Sequence, residues 1–333
     1  MDIVRWMRGR RTRGTAWVAA AFGVLLIAAP ATSGPVASAR GSHTVPGTAC
    51  TVFPADNVWN TDISRLPVNR HSSEWMRSMR SASTNLHPDF GPPSYGMPFT
   101  VTDASTPKHH VKFQYAPESD KGPYPFGPKT PIEGGQNAGG DRHAMMVDRS
   151  TCTLYELYHA YWNGGHPKAG SGAVYDLTAD HLRPNGWTSA DAAGLPIFPG
   201  LVRYDEVKAG FIGHAIRFTA EHTRDQHIWP ARHDASDLSA LRYPPMGARF
   251  RLRAGFSLQG FSADARVVLI AMKHYGLILA DNGSNWYFQG TRDSRWSNAL
   301  LDQLKSIPAS AFQAVDESSC MVAPSSAQAS CPG

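Results

Sequence analysis

The spacing of hydrophobic and polar positions along this chain changes several times, and each change marks an element. An arginine-bearing start (Arg5, Arg8, Arg10, Arg11, Arg13) is followed by an apolar run over residues 16–29 and then by small residues up to Ala37-Ser38-Ala39. That order predicts a signal peptide over 1–39, cleaved after Ala39, because the run is too short to cross a bilayer comfortably. A retained anchor is the competing reading. Residues 40–51 form a leader segment, and VFPADNVWNTDISRLPV sets turn-forming Asn and Asp between apolar anchors, as an ordered wrapping segment does.

Further along, a short helix is expected over His71–Met79, capped by Ser72 or Ser73. Residues 87–140 are dense in Pro and Gly and read as strands joined by long loops. Two strand-like runs, His143–Asp148 and Thr153–Tyr161, flank a polar turn. Leu201–Val207 and Phe211–Thr219 flank Lys208-Ala209-Gly210 and predict a second hairpin. Arg249–Arg253 alternates charged and apolar residues like a half-buried strand. Residues 262–275 predict a helix with Ser262 as N-cap and Gly276 just past its end, apolar nearly all round and therefore buried. A shorter helix is expected over Asn298–Ile307. The fold class that follows is mostly β, an antiparallel sandwich or jelly-roll-like domain with one buried helix and a short C-terminal helix. No repeat or linker interrupts 52–316, so one domain is expected there, with 317–333 as a tail.

Composition narrows the function classes. The chain has 32 Lys and Arg against 27 Asp and Glu. Removing residues 1–39 takes away five Arg and Asp2, leaving 27 against 26, a formal +1. A near-neutral chain carries no electrostatic footprint for nucleic acid, and with the signal removed no membrane partner is expected. Cys50, Cys152, Cys320 and Cys331 make an even count in an exported chain, which predicts two disulfides without fixing their pairing. Their spacing does not suit zinc. With 30 Gly and 25 Pro, the chain suits a loop-rich β protein better than a helical one.

The candidate chemistry lies on the hairpins and loops. A two- or four-residue turn that pairs Val147 with Cys152 puts His143 opposite Glu156, an imidazole beside a carboxylate, as general acid–base sites require. The alternative is an ordinary structural pair. In the second hairpin a G1-bulge turn pairs Tyr204 with His214, with Glu206 on the same face; aromatic packing is the alternative. GWTSADAAGLPI places Trp187 and Asp191 in a turn or short helix. LADNGSNWYFQG places Asp281, Asn282 and Trp286 where a strand ends. Indole faces for stacking, with Asp and Asn as hydrogen-bond partners for hydroxyls, are what a sugar site needs. No H-E-x-x-H, G-x-S-x-G or phosphate-binding glycine loop is present. No cofactor is therefore expected. A metal site gathered from distant His143, His214 and His233 is the alternative, and a structural ion leaves no signature to read.

The segments PADNVWNTDIS, GWTSADAAGLPI, PGLVRYDEV and LADNGSNWY resemble those of a group of secreted bacterial proteins common in actinomycetes, over about Val52 to Asp316. The resemblance implies export and one shared architecture. It implies no activity and no catalytic residue. The residues themselves point to a secreted, monomeric glycoside hydrolase acting on an extracellular polysaccharide or oligosaccharide. Glu156 is the first-choice carboxylate, tuned by His143, and Asp281, Asp191 or Glu206 the second. One rival is a polysaccharide lyase with Tyr204 and His214 as base and acid and Arg203 or Arg217 neutralising a uronate. The other is a binding protein that uses only Trp187, Asn282 and Trp286.

Overall fold

A computed structural model describes residues 44–332. The predicted signal peptide, 1–39, and the first part of the leader lie outside them. Among the described residues the strands are β1 (His87–Pro88), β2 (Phe99–Thr102), β3 (Lys112–Phe113), β4 (Ala144–Asp148), β5 (Thr153–Tyr158), β6 (Lys168–Ala169) and β7 (Ser171–Asp176). Then follow β8 (Ile216–Ala220), β9 (Arg249–Leu252), β10 (Leu277–Asn282), β11 (Tyr287–Phe288) and β12 (Phe312–Val315). Four helices interrupt them: α1 (Ser72–Ser78), α2 (Tyr204–Ala209), α3 (Ala263–His274) and α4 (Asn298–Lys305).

The protein is mostly sheet, as expected, but the sheets are mixed rather than antiparallel. The larger runs β1-β11-β8-β10-β9-β12, with β1 parallel to β11 and β8 parallel to β10. The second runs β2-β4-β5-β7, with β2 parallel to β4, and β3 pairs with β6 in parallel. Hairpin signals reveal only neighbours joined by tight turns. Parallel partners need a long crossover, here the stretch from β8 through β9 and α3 to β10.

Strands β4 and β5 are buried on both faces. Met145, Val147 and Leu154 pack into the main core, while Ala144, Met146, Tyr155 and Leu157 face a smaller one with Tyr124 and Phe126. The hairpin register is Val147 with Leu154 and Met145 with Glu156, two residues from the expected one. His143 therefore precedes the strand and does not lie directly opposite Glu156. Because side chains alternate with period two, a slip of two leaves both on the face they were expected to share.

The second expected hairpin does not form. Residues 204–209 are α2, so Tyr204 does not pair with His214. The local sequence explains the helix: Asp205 and Glu206 sit in its first turn and Gly210 ends it at φ +82°, the arrangement that complements a helix dipole and caps its C-terminus. Strand β9 is fully buried rather than half-buried. Arg249 hydrogen-bonds Val58 O and Tyr275 O, and Arg251 bonds Ile63 O and Ser64 O, so the wrapping segment and the end of α3 cover much of the charged face. Helix α3 has the expected cap, Ser262 Oγ accepting from Ala265 N at 3.2 Å. It buries Ala265, Val268, Leu269 and Met272 but leaves Ile270 exposed, so it is one-faced.

Two disulfides join Cys50 to Cys152 and Cys320 to Cys331. The tail is stitched into the fold: Val58 N donates to Ala327 O, Ala327 N to Asp180 O and Ala329 N to Asp56 O. Among the described residues no helix is long and apolar enough to cross a membrane.

Candidate active site

Arg217, on β8, organises a buried polar cluster. Its neighbours across the sheet are set by register. Gln289 follows β11, whose Phe288 pairs with Phe218, and so comes opposite Arg217; its amide oxygen accepts from Nη1. On the other side, Ile278 of β10 pairs with Arg217, and a bulge between Leu279 and Asp281 brings Asp281 opposite Thr219. Thr219 lies two residues from Arg217 and shares its face. The bulge thus presents Asp281, not Ala280, to Arg217, with Nη2 to Oδ2 at 3.7 Å. Bulges re-aim side chains in this way. Asp191 enters from the GWTSADAAGLPI loop and takes Arg217 in a two-point grip, Nε to Oδ2 at 2.8 Å and Nη2 to Oδ1 at 2.7 Å.

The β4–β5 side adds three more groups. His143 Nδ1 lies 2.6 Å from Glu133 Oε2, and Nε2 lies 3.1 Å from the carbonyl oxygen of Ala190. Both partners are acceptors, so both ring nitrogens donate and the ring is an imidazolium. Burial opposes that charge, but Glu133 outweighs it and pushes His143 up to about 9. Glu133 in turn is held below the usual carboxylate range, its burial more than offset by the bond to His143. Glu156 is wholly buried. Its carboxyl accepts from Ile197 N and Phe198 N at 2.8–3.0 Å, and burial pushes it up to about 7.

Asp281 differs from its neighbours. Burial, then the adjacent charge of Asp191, raise its carboxyl well above the ordinary carboxylate range, and a hydrogen bond to Asp191 acts in the same direction. Yet 25% of its side-chain surface is open, and 30% of that of Glu133. These are the cluster's two reachable carboxyls. Their surroundings push them apart, Asp281 towards the protonated form and Glu133 towards the ionised one. Glu133 lines a cleft of about 370 Å³ with Tyr95, Asp141, Arg142 and Arg292. Burial foremost, with Asp141 nearby, pushes the Tyr158 hydroxyl up. The Tyr161 ring lies 4.0 Å from the Arg142 guanidinium, and Tyr95 and Tyr161 are exposed.

The expected residues fall into two sets. His143, Glu156, Asp191, Arg217 and Asp281 come together. Glu156 does not contact solvent, and its oxygens hold the turn at Phe198; it is a structural carboxylate and not the reacting one. His143, donating from both ring nitrogens, has no lone pair free to accept a proton. The side chains of the others find their partners outside the cluster. Arg203 and His214 bracket Glu206 in a buried trio, with His214 Nε2 to Oε2 at 3.1 Å. Tyr204 packs edge-on against Trp296 under Arg295. Trp286 is completely buried, its indole N–H donating to Met79 O, so it cannot stack on a sugar. Trp187 is half-buried beside Arg183, and Asn282 bonds Thr223. His143, His214 and His233 serve separate partners, and no group of three metal-binding side chains occurs among the described residues. Sequence reasoning missed Glu133 and Gln289. For Glu133 a signal existed: a lone carboxylate followed by Gly134-Gly135, where backbone is left open. Gln289 had none.

No protein-family model matches the chain, and neither a curated protein nor a solved structure does.

Proposed function

We propose that the protein is an exported glycoside hydrolase in which Asp281 is the general acid and Glu133 the carboxylate that attacks or activates water. The observation that carries this reading is the split between two partly exposed carboxyls of one cluster, Asp281 pushed towards its protonated form beside Asp191 and Glu133 towards its ionised form beside His143. Cleaving a glycosidic bond needs that division of labour. Asp281 gives its proton to the departing oxygen as the C1–O bond breaks. Glu133 either takes the proton of the water that attacks C1, or bonds to C1 itself as an ester that water then cleaves, the water giving its proton to Asp281. Arg217 and Asp191 hold Asp281 in place, and His143 fixes Glu133. Tyr95 and Tyr161 offer ring surface for sugar faces. Two disulfides fit an oxidising, extracellular setting, in keeping with removal of residues 1–39 and with the resemblance to secreted actinomycete proteins. In this reading the larger two sheets are the layers of a sandwich and the protein acts as a monomer. The lyase reading loses its base and acid with the Tyr204–His214 pair, and the binding-protein reading loses Trp286.

The test is incubation with a panel of cell-wall and plant polysaccharides, scoring reducing ends together with ultraviolet absorbance. Reducing ends without absorbance are expected. Asp281→Asn and Glu133→Gln should each lower the rate by at least about 10²-fold, the scale of a positioned acid or base. An absorbing product marks elimination instead, and a rate that survives Asp281→Asn removes the assignment.

A further inference from the structure

A second buried charged pair stands apart from the carboxylate cluster. On β9, Arg249 spends Nε on Tyr275 O at 2.8 Å, and Nη1 on Val58 O and on Glu317 Oε2, each at 3.2 Å. Its Nη2 and the other oxygen of Glu317, Oε1, are buried and have no protein partner. The two side chains are 0% and 5% exposed. Both line a cleft of about 750 Å³ between α1, the loop over 224–245 and the segment that follows β12. That volume is the size of a small-molecule site. Leaving such atoms unmatched is costly, because buried charged groups need full hydrogen bonding.

The walls define what would fit. Trp75 gives its indole N–H to Leu241 O at 3.1 Å, and Trp229 gives its own to Ser326 O at 2.8 Å. Their polar atoms are spent, and with Ile228 and Leu241 they form an apolar wall of the cleft. The charges facing it are Arg70 and His71 beside α1, Arg224, His227 and Arg232 from the loop, and Asp316 next to Glu317. Arg224 also carries a buried Nε without a hydrogen bond, Asp225 Oδ1 lying 3.9 Å away. Guanidinium groups therefore outnumber carboxylates at the mouth.

We propose that this cleft binds a small monocarboxylic acid with an apolar body. Arg249 Nη2 donates to one ligand oxygen, while the other ligand oxygen and Glu317 Oε1 share one proton. The apolar body lies against the two indoles. Burial, only partly countered by Arg249 and assisted by Asp316, pushes Glu317 up to about 7, so the shared proton is available in mildly acid solution. Binding of the anion at higher pH takes up one proton per ligand.

Phenylacetate is a suitable probe, with phenylacetamide and 2-phenylethanol as controls, titrated calorimetrically into the full chain in buffers of different ionisation enthalpy. Phenylacetate should bind at about pH 5.5 and at least tenfold more weakly at about pH 8.5, with close to one proton taken up. Glu317→Gln should keep phenylacetate binding and abolish its pH dependence, because the amide N–H supplies the missing donor. Equal affinity at the two pH values, tighter binding of the amide than of the acid, or no heat with millimolar phenylacetate at either pH overturns the proposal. Should Glu317→Gln fail to fold, the wild-type pH and proton-uptake measurements decide alone.

Discussion

At the level of single residues, Glu156 separates what a carboxylate beside a histidine suggests from what it does. It accepts from two backbone N–H groups inside the core, Ile197 N shared between both oxygens and Phe198 N, and these hold the turn that leads to Arg203 and α2. Glu156→Gln replaces one accepting oxygen with a donor that faces backbone N–H groups. The variant should lose about 1–3 kcal/mol of stability, the cost of leaving buried groups unmatched, read as a lower urea midpoint with an unchanged slope. An unchanged midpoint would mean that the turn does not depend on this carboxylate. The sequence allowed His143 and Glu156 to be assigned to one face because period two survives an even slip in register. It could not have singled out Asp281 as facing Arg217, since an unbulged strand would present Ala280. Glu133 was hidden for another reason: its contact with His143 closes a loop, and loop closure leaves no periodic trace.

Among the elements, the helices separate by kind of signal. Helix α3 was legible from its cap, its apolar density and its closing glycine. Helix α2 carried equivalent cues, an acidic first turn and Gly210, but a G1-bulge turn explains the same glycine, and in six residues periodicity could not arbitrate. Parallel pairings were illegible throughout, because they depend on contacts between segments far apart in sequence. The end of α3 gives a direct test. Gly276 has φ +69°, and a Cβ there would come within 2.2 Å of Phe250 O on the neighbouring strand. Gly276→Ala must move β9 or unwind the last turn, beyond the usual strain of a positive φ of about 1 kcal/mol or more. A fall in melting temperature of well over 5 °C, or failure to accumulate folded protein, is expected; a shift within 1–2 °C would contradict the tight approach.

For the molecule as a whole, buried ionisable groups fix how stability varies with pH. His143 rises from 6.5 to about 9 on folding, so its contribution is complete below 6.5 and disappears as pH climbs through 9. Glu156 and Glu317 rise from 4.5 to about 7, so the folded state also loses ground between those values. Glu133 and Glu206 are lowered, so their contributions are lost only in acid. Together these place maximal stability near about pH 4.5 to 5, with a decline that begins there and continues towards pH 9. Calorimetric melting temperatures across that range measure it. In Glu133→Gln the limb above 6.5 should flatten; a maximum above pH 8 in the parent protein would contradict the protonated state of His143.

The stitched tail has a consequence for how the chain is made. Asp56, Val58 and Asp180 receive their backbone partners from Ala327 and Ala329, which leave the ribosome about 150 or more residues later, roughly ten seconds or more at ordinary synthesis rates. Until then the wrapping segment and the Asp180 loop cannot lock. A nascent chain is therefore kept pliable by its own topology, a property suited to threading through a narrow channel before the architecture sets.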